Sequence, residues 1–173
     1  MASLFGHGLV GYTIAKVANS GTGKLLLFLA MGSAILPDMD VLAFNFGIPY
    51  LHPLGHRGFT HSIVFSILWG GMLALLFGKQ RKTIFFAVIS LSTLSHGVLD
   101  ALTTGGEGVG FLIPFSDERF FFPFKVIRVS PIGIGKFFSE WGLQVIFSEL
   151  KYIAIPCLLV LLFLHFKRKN NEH

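Results

Sequence analysis

The feature that most constrains this chain is a set of long segments that carry almost no charge. Residues 60–78, 83–102 and 152–166 each read as an apolar membrane helix. The first two have the length of about 20 residues that crosses a bilayer, and the third can be extended by residues around Leu150. Only 13% of the 173 residues are charged, whereas a water-soluble domain usually has about a quarter. Lipid is therefore the expected solvent.

Two further apolar stretches, 8–18 and 25–36, are too short to cross a bilayer unaided. We expect them to be short or tilted helices joined by a turn at 21–23. The chain is then a single all-α domain, residues 1–173, with about five hydrophobic helices in a bundle. Residues 104–150 form a long connection rich in Phe and Gly, which we expect to be an outer amphipathic, aromatic segment that caps the bundle or lies at the interface.

The basic residues predict an orientation. If the turn at 79–82 faces the cytoplasm, 8 of the 14 Lys and Arg residues lie in short cytoplasmic segments, as the positive-inside rule prefers. Those residues are Lys16, Lys24, Lys79, Arg81, Lys82, Lys167, Arg168 and Lys169. We therefore expect a multi-pass protein of the cytoplasmic membrane with its N-terminus outside. Every acidic residue except Glu172 falls on the outer side, which indicates a site because acids barely influence orientation.

Three pairs of ionisable residues fall at that outer end. Asp38 and Asp40 follow Pro37, which favours a helix end at the preceding residue; two solvated loop acids are the alternative reading. His96 and Asp100 are four residues apart and share one helix face. Within an apolar helix such a pair usually marks a site, although it can also simply satisfy itself.

The third pair, His56 and His61, frames a turn at Gly58. Thr60 is the expected N-cap of the following helix, which places His61 in its first turn. Neutral imidazole is the commonest metal ligand in proteins. The alternative is a pair of interfacial histidines with no ligand role.

Depth in the bilayer favours a common site. At about 1.5 Å per residue, His61 lies roughly 25 Å from the basic turn, and His96 and Asp100 lie roughly 21 and 27 Å from it. Unrelated polar residues would have no reason to share a plane. Seven residues thus become candidate metal ligands: His7, Asp38, Asp40, His56, His61, His96 and Asp100.

Mixed imidazole and carboxylate ligands suit zinc, with manganese or iron as alternatives. Seven candidates exceed the three protein ligands of a typical catalytic zinc, so one or two ions are expected. Arg57 is a candidate anion clamp in the active site, because a guanidinium matches phosphate oxygens; anchoring a lipid headgroup is its alternative role.

Several motifs resemble those of the YdjM-type family. They are His7, the run Leu-Pro-Asp-Met-Asp at 36–40, His-Arg-Gly-Phe-Thr-His-Ser at 56–62 and Ser-His-Gly-Val-Leu-Asp at 95–100. The resemblance covers nearly the whole chain and implies a LexA-regulated, inner-membrane, metal-dependent hydrolase. It also implies a site similar to that of zinc-dependent phospholipases C, with the same seven residues as the metal shell.

The leading hypothesis is a hydrolase that uses metal-activated water on a lipid or lipid-linked phosphoester at the outer face. Asp38 or Asp100, whichever is not a ligand, is the expected general base. The alternative is a non-enzymatic membrane protein with a structural or transport-related metal site. No nucleic-acid partner is expected, because the outer basic residues are scattered.

Overall fold

The fold is known from a computed structural model that describes residues 1–18, 23–130 and 139–170. Within those residues the regular structure is helical, apart from two isolated β-bridges. The α-helices are α1 (Leu4–Val17), α2 (Gly23–Ile35), α3 (Ile63–Phe77), α4 (Lys82–Ala101), α5 (Glu140–Glu149) and α6 (Ile155–Asn170).

Short helical turns lengthen several of these helices. A 3₁₀ segment, Leu36–Phe46, continues α2, and a π-helical turn, Leu150–Ala154, joins α5 to α6. Among the described residues, three helices are long and apolar enough to cross a membrane: Gly23–Phe46, Lys79–Ala101 and Glu140–Asn170. Helix α3 is apolar but shorter. The predicted class, an all-α membrane protein with about five hydrophobic helices, is confirmed.

Small residues let the helices approach one another closely. Helix α1 packs on α2, and both pack on α4, which in turn packs on α3. A Cβ atom at Gly11 in α1 would lie only 2.6 Å from the carbonyl oxygen of Ala30 in α2. Such contacts are typical of membrane helix pairs, whose association depends on close packing and interhelical hydrogen bonds. One such hydrogen bond joins Trp69 Nε1 to Ser33 Oγ at 2.9 Å.

The last helix begins earlier than the sequence analysis predicts. Apolarity alone places its start near residue 152, whereas the structure starts α5 at Glu140. The reason is local: Ser139 is the N-cap, its side chain accepts a hydrogen bond from the Gly142 amide, and Glu140 lies in the first turn, where a negative charge is favourable. The irregular connection after α4 is therefore shorter than 104–150.

The start of α3 also differs from its prediction. Ser62, not Thr60, is the N-cap, and its Oγ accepts a hydrogen bond from the Phe65 amide at 3.0 Å. Thr60 lies in a 3₁₀ turn, Phe59–His61, just before the helix. Because it does not cap the helix, the Thr60 hydroxyl can donate a hydrogen bond to Asp40 Oδ2 instead.

The two ends of the bundle differ in character. At one end Arg168 Nη2 donates to the Lys16 carbonyl at 2.9 Å, which brings the end of α6 against the end of α1. At the other end the loops 47–58 and 102–130 fold over the helices. Arg119 joins them by donating to the carbonyls of His56 and Tyr50 at 2.9 and 3.2 Å. The candidate site lies beneath these loops.

Candidate metal centre

Four ionisable side chains from three separate segments meet inside the protein. Asp38 comes from the 3₁₀ extension of α2, His61 from the turn before α3, and His96 and Asp100 from α4. One donor atom from each lies within 4.8 Å of the others, and all four residues are buried. The structure thus brings four of the seven predicted candidate ligands together as a group that could hold a metal ion.

The backbone of α2 sets the orientation of His96. Its Nδ1 lies 2.7 Å from the carbonyl oxygen of Ala34. Because a carbonyl only accepts, Nδ1 carries the proton, and the Nε2 lone pair of the neutral ring is left for the interior. That Nε2 lies 3.3 Å from Asp38 Oδ1 and 4.0 Å from Asp100 Oδ2.

A carboxylate orients His61 in the same way. Its Nδ1 lies 3.2 Å from Asp40 Oδ2, and its Nε2 lies 3.7 Å from Asp100 Oδ2. Burial disfavours the charged ring, but the pairing with Asp100 and Asp40 outweighs it and raises the pKa of His61 to about 9. A metal that binds His61 Nε2 would therefore displace a proton, so the affinity of the site for the metal should rise with pH.

Asp100 is held from two directions. Its Oδ1 accepts a hydrogen bond of 2.9 Å from the Ala2 amide, which lies just before α1. Its Oδ2 forms an ion pair with Arg57 Nε at 3.0 Å, and both side chains are at most 1% exposed. The carboxylate is thus fixed before any ligand binds.

The hydrogen bonds that are missing test whether a metal fits. Buried polar atoms almost always have a hydrogen bond, yet several here have none within the described residues: both oxygens of Asp38, Nε2 of His61 and Nε2 of His96. Oδ2 of Asp100 has its ion pair with Arg57 but likewise no hydrogen bond among those residues. Two imidazole nitrogens and two carboxylates are the donor set that zinc takes in proteins. The residues therefore fit a divalent metal.

His7, on α1, adjoins this group without joining it. Its ring stacks on that of His96, with centroids 3.7 Å apart, and its Nε2 lies 3.5 Å from Asp100 Oδ1. Neither ring nitrogen has a hydrogen bond within the described part of the chain. His7 is thus a fifth donor beside the four.

Comparison with known proteins gives the family. A family model described as "YdjM inner membrane protein" matches residues 1–173. The chain belongs to the YdjM family. It is also 43% identical over 148 residues to the inner membrane protein YbcI of Escherichia coli (strain K12), covering 83% of this chain and 85% of that protein. No solved structure gives a significant match.

In this YdjM-family protein, Asp40 and His56 were expected to be metal ligands but lie behind the group of four buried residues. Asp40 uses Oδ1 to contact His56 Nδ1 at 2.6 Å, and its Oδ2 accepts hydrogen bonds from Thr60 Oγ1 at 2.7 Å and from the Arg57 amide at 3.0 Å. With both oxygens engaged, Asp40 orients His61, and His56 in turn braces Asp40. A carboxylate in this position orients a metal-binding histidine and raises its basicity without binding the metal itself.

Arg57 also has a different place from the one expected. Its side chain is buried, and besides Asp100 it contacts the Gly105 carbonyl through Nη1 at 2.9 Å and Thr103 Oγ1 through Nη2 at 3.1 Å. A guanidinium engaged on all sides has no free edge for a phosphate. The structure therefore argues against the anion clamp and makes Arg57 a residue that positions Asp100.

Sequence reasoning missed several supporting groups. The Ala34 carbonyl and the Ala2 amide are backbone atoms, so no residue type marks them. Capping is the commoner role of a threonine before a helix, so the residue type does not mark Thr60 as a partner of Asp40. Thr103 follows Asp100 by three residues and bonds its carbonyl, a spacing that could have been noticed.

Replacing Asp40 with asparagine tests the supporting shell. Asparagine offers one acceptor oxygen, so the contact with either His56 or His61 is lost. We expect zinc affinity to fall about 10–100-fold, measured by competition with a chromophoric chelator on detergent-solubilised protein. Asp117→Asn, which changes an exposed acid in the loop 102–130, is the control and should leave affinity unchanged. Equal affinity in the Asp40 variant would show that Asp40 does not support the metal.

Proposed function

We propose that this protein is a membrane-bound, metal-dependent hydrolase that acts on a lipid or lipid-linked phosphoester. The observation that carries the proposal is the group of buried ligand atoms on Asp38, His61, His96 and Asp100, which lie within 4.8 Å of one another and include atoms that have no hydrogen bond within the described residues. A bound divalent metal would supply a water of lowered pKa and a Lewis acid for the ester oxygen.

The surroundings of the two aspartates suggest different roles. Asp100 is fixed by Ala2 and Arg57, so it suits a ligand that must not move. Among the described residues neither oxygen of Asp38 has a hydrogen bond, and the Asp38 side chain is 5% exposed whereas that of Asp100 is fully buried. With His61, His96 and Asp100 as the three ligands of a catalytic zinc, Asp38 is the proposed general base.

Lipid is the favoured substrate because of where the group lies. The family is one of inner membrane proteins, and the four residues lie at the end of the bundle covered by the aromatic outer loops. Large apolar side chains on that end are exposed, including Phe46 at 83% and Phe115 at 85%. Exposed aromatics at a membrane interface favour contact with lipid.

The proposed orientation places this end outside. Five helical passes would put the N-terminus with the metal centre at the outer face and the C-terminus in the cytoplasm. The eight basic residues named above would then face the cytoplasm, as the positive-inside rule favours. Cysteine-accessibility labelling at Leu51 and Gln80 tests the orientation, since opposite reagent access is expected.

Turnover of defined lipids tests the activity. Purified wild-type protein, His61→Ala and Asp38→Asn should be compared on phosphatidylglycerol and on a polyprenyl diphosphate, with zinc or manganese added. Activity should fall at least 100-fold in both variants, in keeping with a general base and a metal ligand. His52→Ala, an exposed histidine in the nearby loop, should retain wild-type activity. Equal turnover in all four proteins would remove the catalytic proposal.

A structural metal is the second candidate, and burial favours it. Four buried protein ligands with no open position are typical of structural zinc sites. This function predicts that Asp38→Asn lowers thermal stability in parallel with metal content. Loss of turnover with unchanged melting temperature supports the hydrolase instead.

A further inference from the structure

A second site lies at the opposite end of the bundle from the metal centre. There the end of α3, the turn after it and the starts of α2 and α4 enclose a cleft of about 420 Å³. It is lined by Leu25, Phe77, Gly78, Lys79, Gln80, Arg81 and Phe85. None of these residues has a part in the proposed hydrolase.

The cleft is apolar on one side and basic on the other. Leu25 and Phe77 remain 47% and 40% exposed, while Phe85 beneath them is buried at 4%. Lys79 and Arg81 line the remaining wall. A ligand that fills this space must therefore be anionic at one end and apolar at the other.

The cationic side chains of this wall are unpaired within the part of the chain that the structure describes. Within the described residues neither Lys79 nor Arg81 makes an ion pair or a side-chain hydrogen bond, although Lys82 adds a third charge next to them. The carboxylates that the structure describes belong to the segments around the metal centre or to the outer loops and α5. No carboxylate among residues 1–18, 23–130 and 139–170 pairs with this wall, so an anion can bind its cations without displacing a described acidic side chain.

The turn that carries the lysine is held in an unfavourable conformation. Lys79 has a φ of +43°, in the left-handed region that side chains rarely adopt. The preceding residue is confined as well, because a Cβ at Gly78 would lie 2.4 Å from the Ala74 carbonyl oxygen. Strained residues cluster at functional sites, which favours a use for the Lys79 side chain.

We propose that this cleft binds an anionic phospholipid. Its phosphate lies against Lys79 and Arg81, and the first part of an acyl chain lies along Leu25 and Phe77. Basic pockets between membrane helices bind acidic headgroups in this manner. The proposal does not depend on the hydrolase, since no metal-centre residue contributes to the cleft.

Native mass spectrometry of the purified full-length protein tests the site. The protein is titrated with phosphatidylglycerol and, separately, with phosphatidylcholine. Lys79→Gln combined with Arg81→Gln should weaken phosphatidylglycerol binding about tenfold or more and leave phosphatidylcholine binding unchanged. Lys167→Gln combined with Lys169→Gln removes the same charge from the same end of the bundle and should change binding less than about twofold. Equal losses in the two double variants would show only diffuse attraction and overturn the proposal.

A second variant tests the apolar wall and keeps the proposal testable if the charge variant does not fold. Leu25→Trp fills the cleft without changing charge, so it should weaken phosphatidylglycerol binding to a similar extent. Inorganic phosphate at millimolar concentration should not compete with the lipid. Unchanged binding in Leu25→Trp, or full competition by phosphate, would overturn the assignment to a phospholipid.

Discussion

Replacement of Arg57 by methionine is expected to lower the free energy of unfolding by about 3–5 kcal/mol, which is the usual cost of leaving one member of a buried ion pair alone. Arg57 Nε lies 3.0 Å from Asp100 Oδ2, and neither side chain is more than 1% exposed. Without the guanidinium, the Asp100 carboxylate keeps the Ala2 amide as a hydrogen-bond donor and the longer contact with His61 Nε2 at 3.7 Å, but it loses its close ion pair with arginine. Denaturation by sodium dodecyl sulfate in mixed micelles, with chelator present, measures the loss without a contribution from metal.

Two companion variants show whether the ion pair is the cause. Arg57→Met combined with Asp100→Asn removes both charges and should recover a large part of the stability, because paired residues are not additive. Arg128→Met, an exposed arginine against Trp141, should change stability by no more than about 0.5 kcal/mol. If the double variant lost as much free energy of unfolding as the two single variants together, the two charges would not stabilise each other.

Replacement of His96 by alanine is expected to weaken metal binding about 100-fold or more. Structural zinc sites with four ligands have apparent binding free energies of about 10–16 kcal/mol, so each ligand accounts for about two to three decades of affinity. His96 Nε2 lies 3.3 Å from Asp38 Oδ1 and 4.0 Å from Asp100 Oδ2, so its removal takes one imidazole ligand from the group. Elemental analysis after dialysis against a graded chelator measures the change.

Two other histidines serve as references in the same experiment. His52→Ala removes an exposed imidazole from the loop above the site and should retain the wild-type metal content. His7→Ala removes the ring stacked on His96 and shows whether His7 itself binds the metal. If this variant loses as much bound metal as His96→Ala, His7 is a ligand. Full metal content in His96→Ala would contradict the proposed centre.

Much of the architecture could be predicted from the sequence because it depends on contiguous residues. The charge-free run near 83–102 predicts a helix long enough to cross a membrane because hydropathy is summed over neighbouring residues. The run near 60–78 predicts an apolar helix in the same way, but the helix observed there, Ile63–Phe77, is shorter than expected. The spacing of His96 and Asp100 predicts a shared face, because helical periodicity is local. Counting residues from the basic turn also placed His61 at the depth of His96, since the rise per residue is constant.

The exact starts of two helices could not be predicted from the sequence, because more than one residue or property indicates a possible start. The start of the last helix depends on the cap at Ser139 rather than on apolarity, and hydropathy does not detect a cap. Likewise Thr60 and Ser62 both qualify as N-caps by residue type. The structure assigns the cap to Ser62 because the Thr60 hydroxyl bonds Asp40, a residue 20 positions earlier in the chain.

By itself, then, the sequence determined the solvent, the helices and the common depth of the ionisable residues, because each follows from the order of neighbouring residues. Only the tertiary structure separated Asp38, His61, His96 and Asp100, whose donors face one another, from Asp40, which supports them from behind. It also turned Arg57 from a candidate phosphate clamp into the partner of Asp100. These distinctions depend on side-chain direction and loop path, which are decided by contacts between residues distant in the chain.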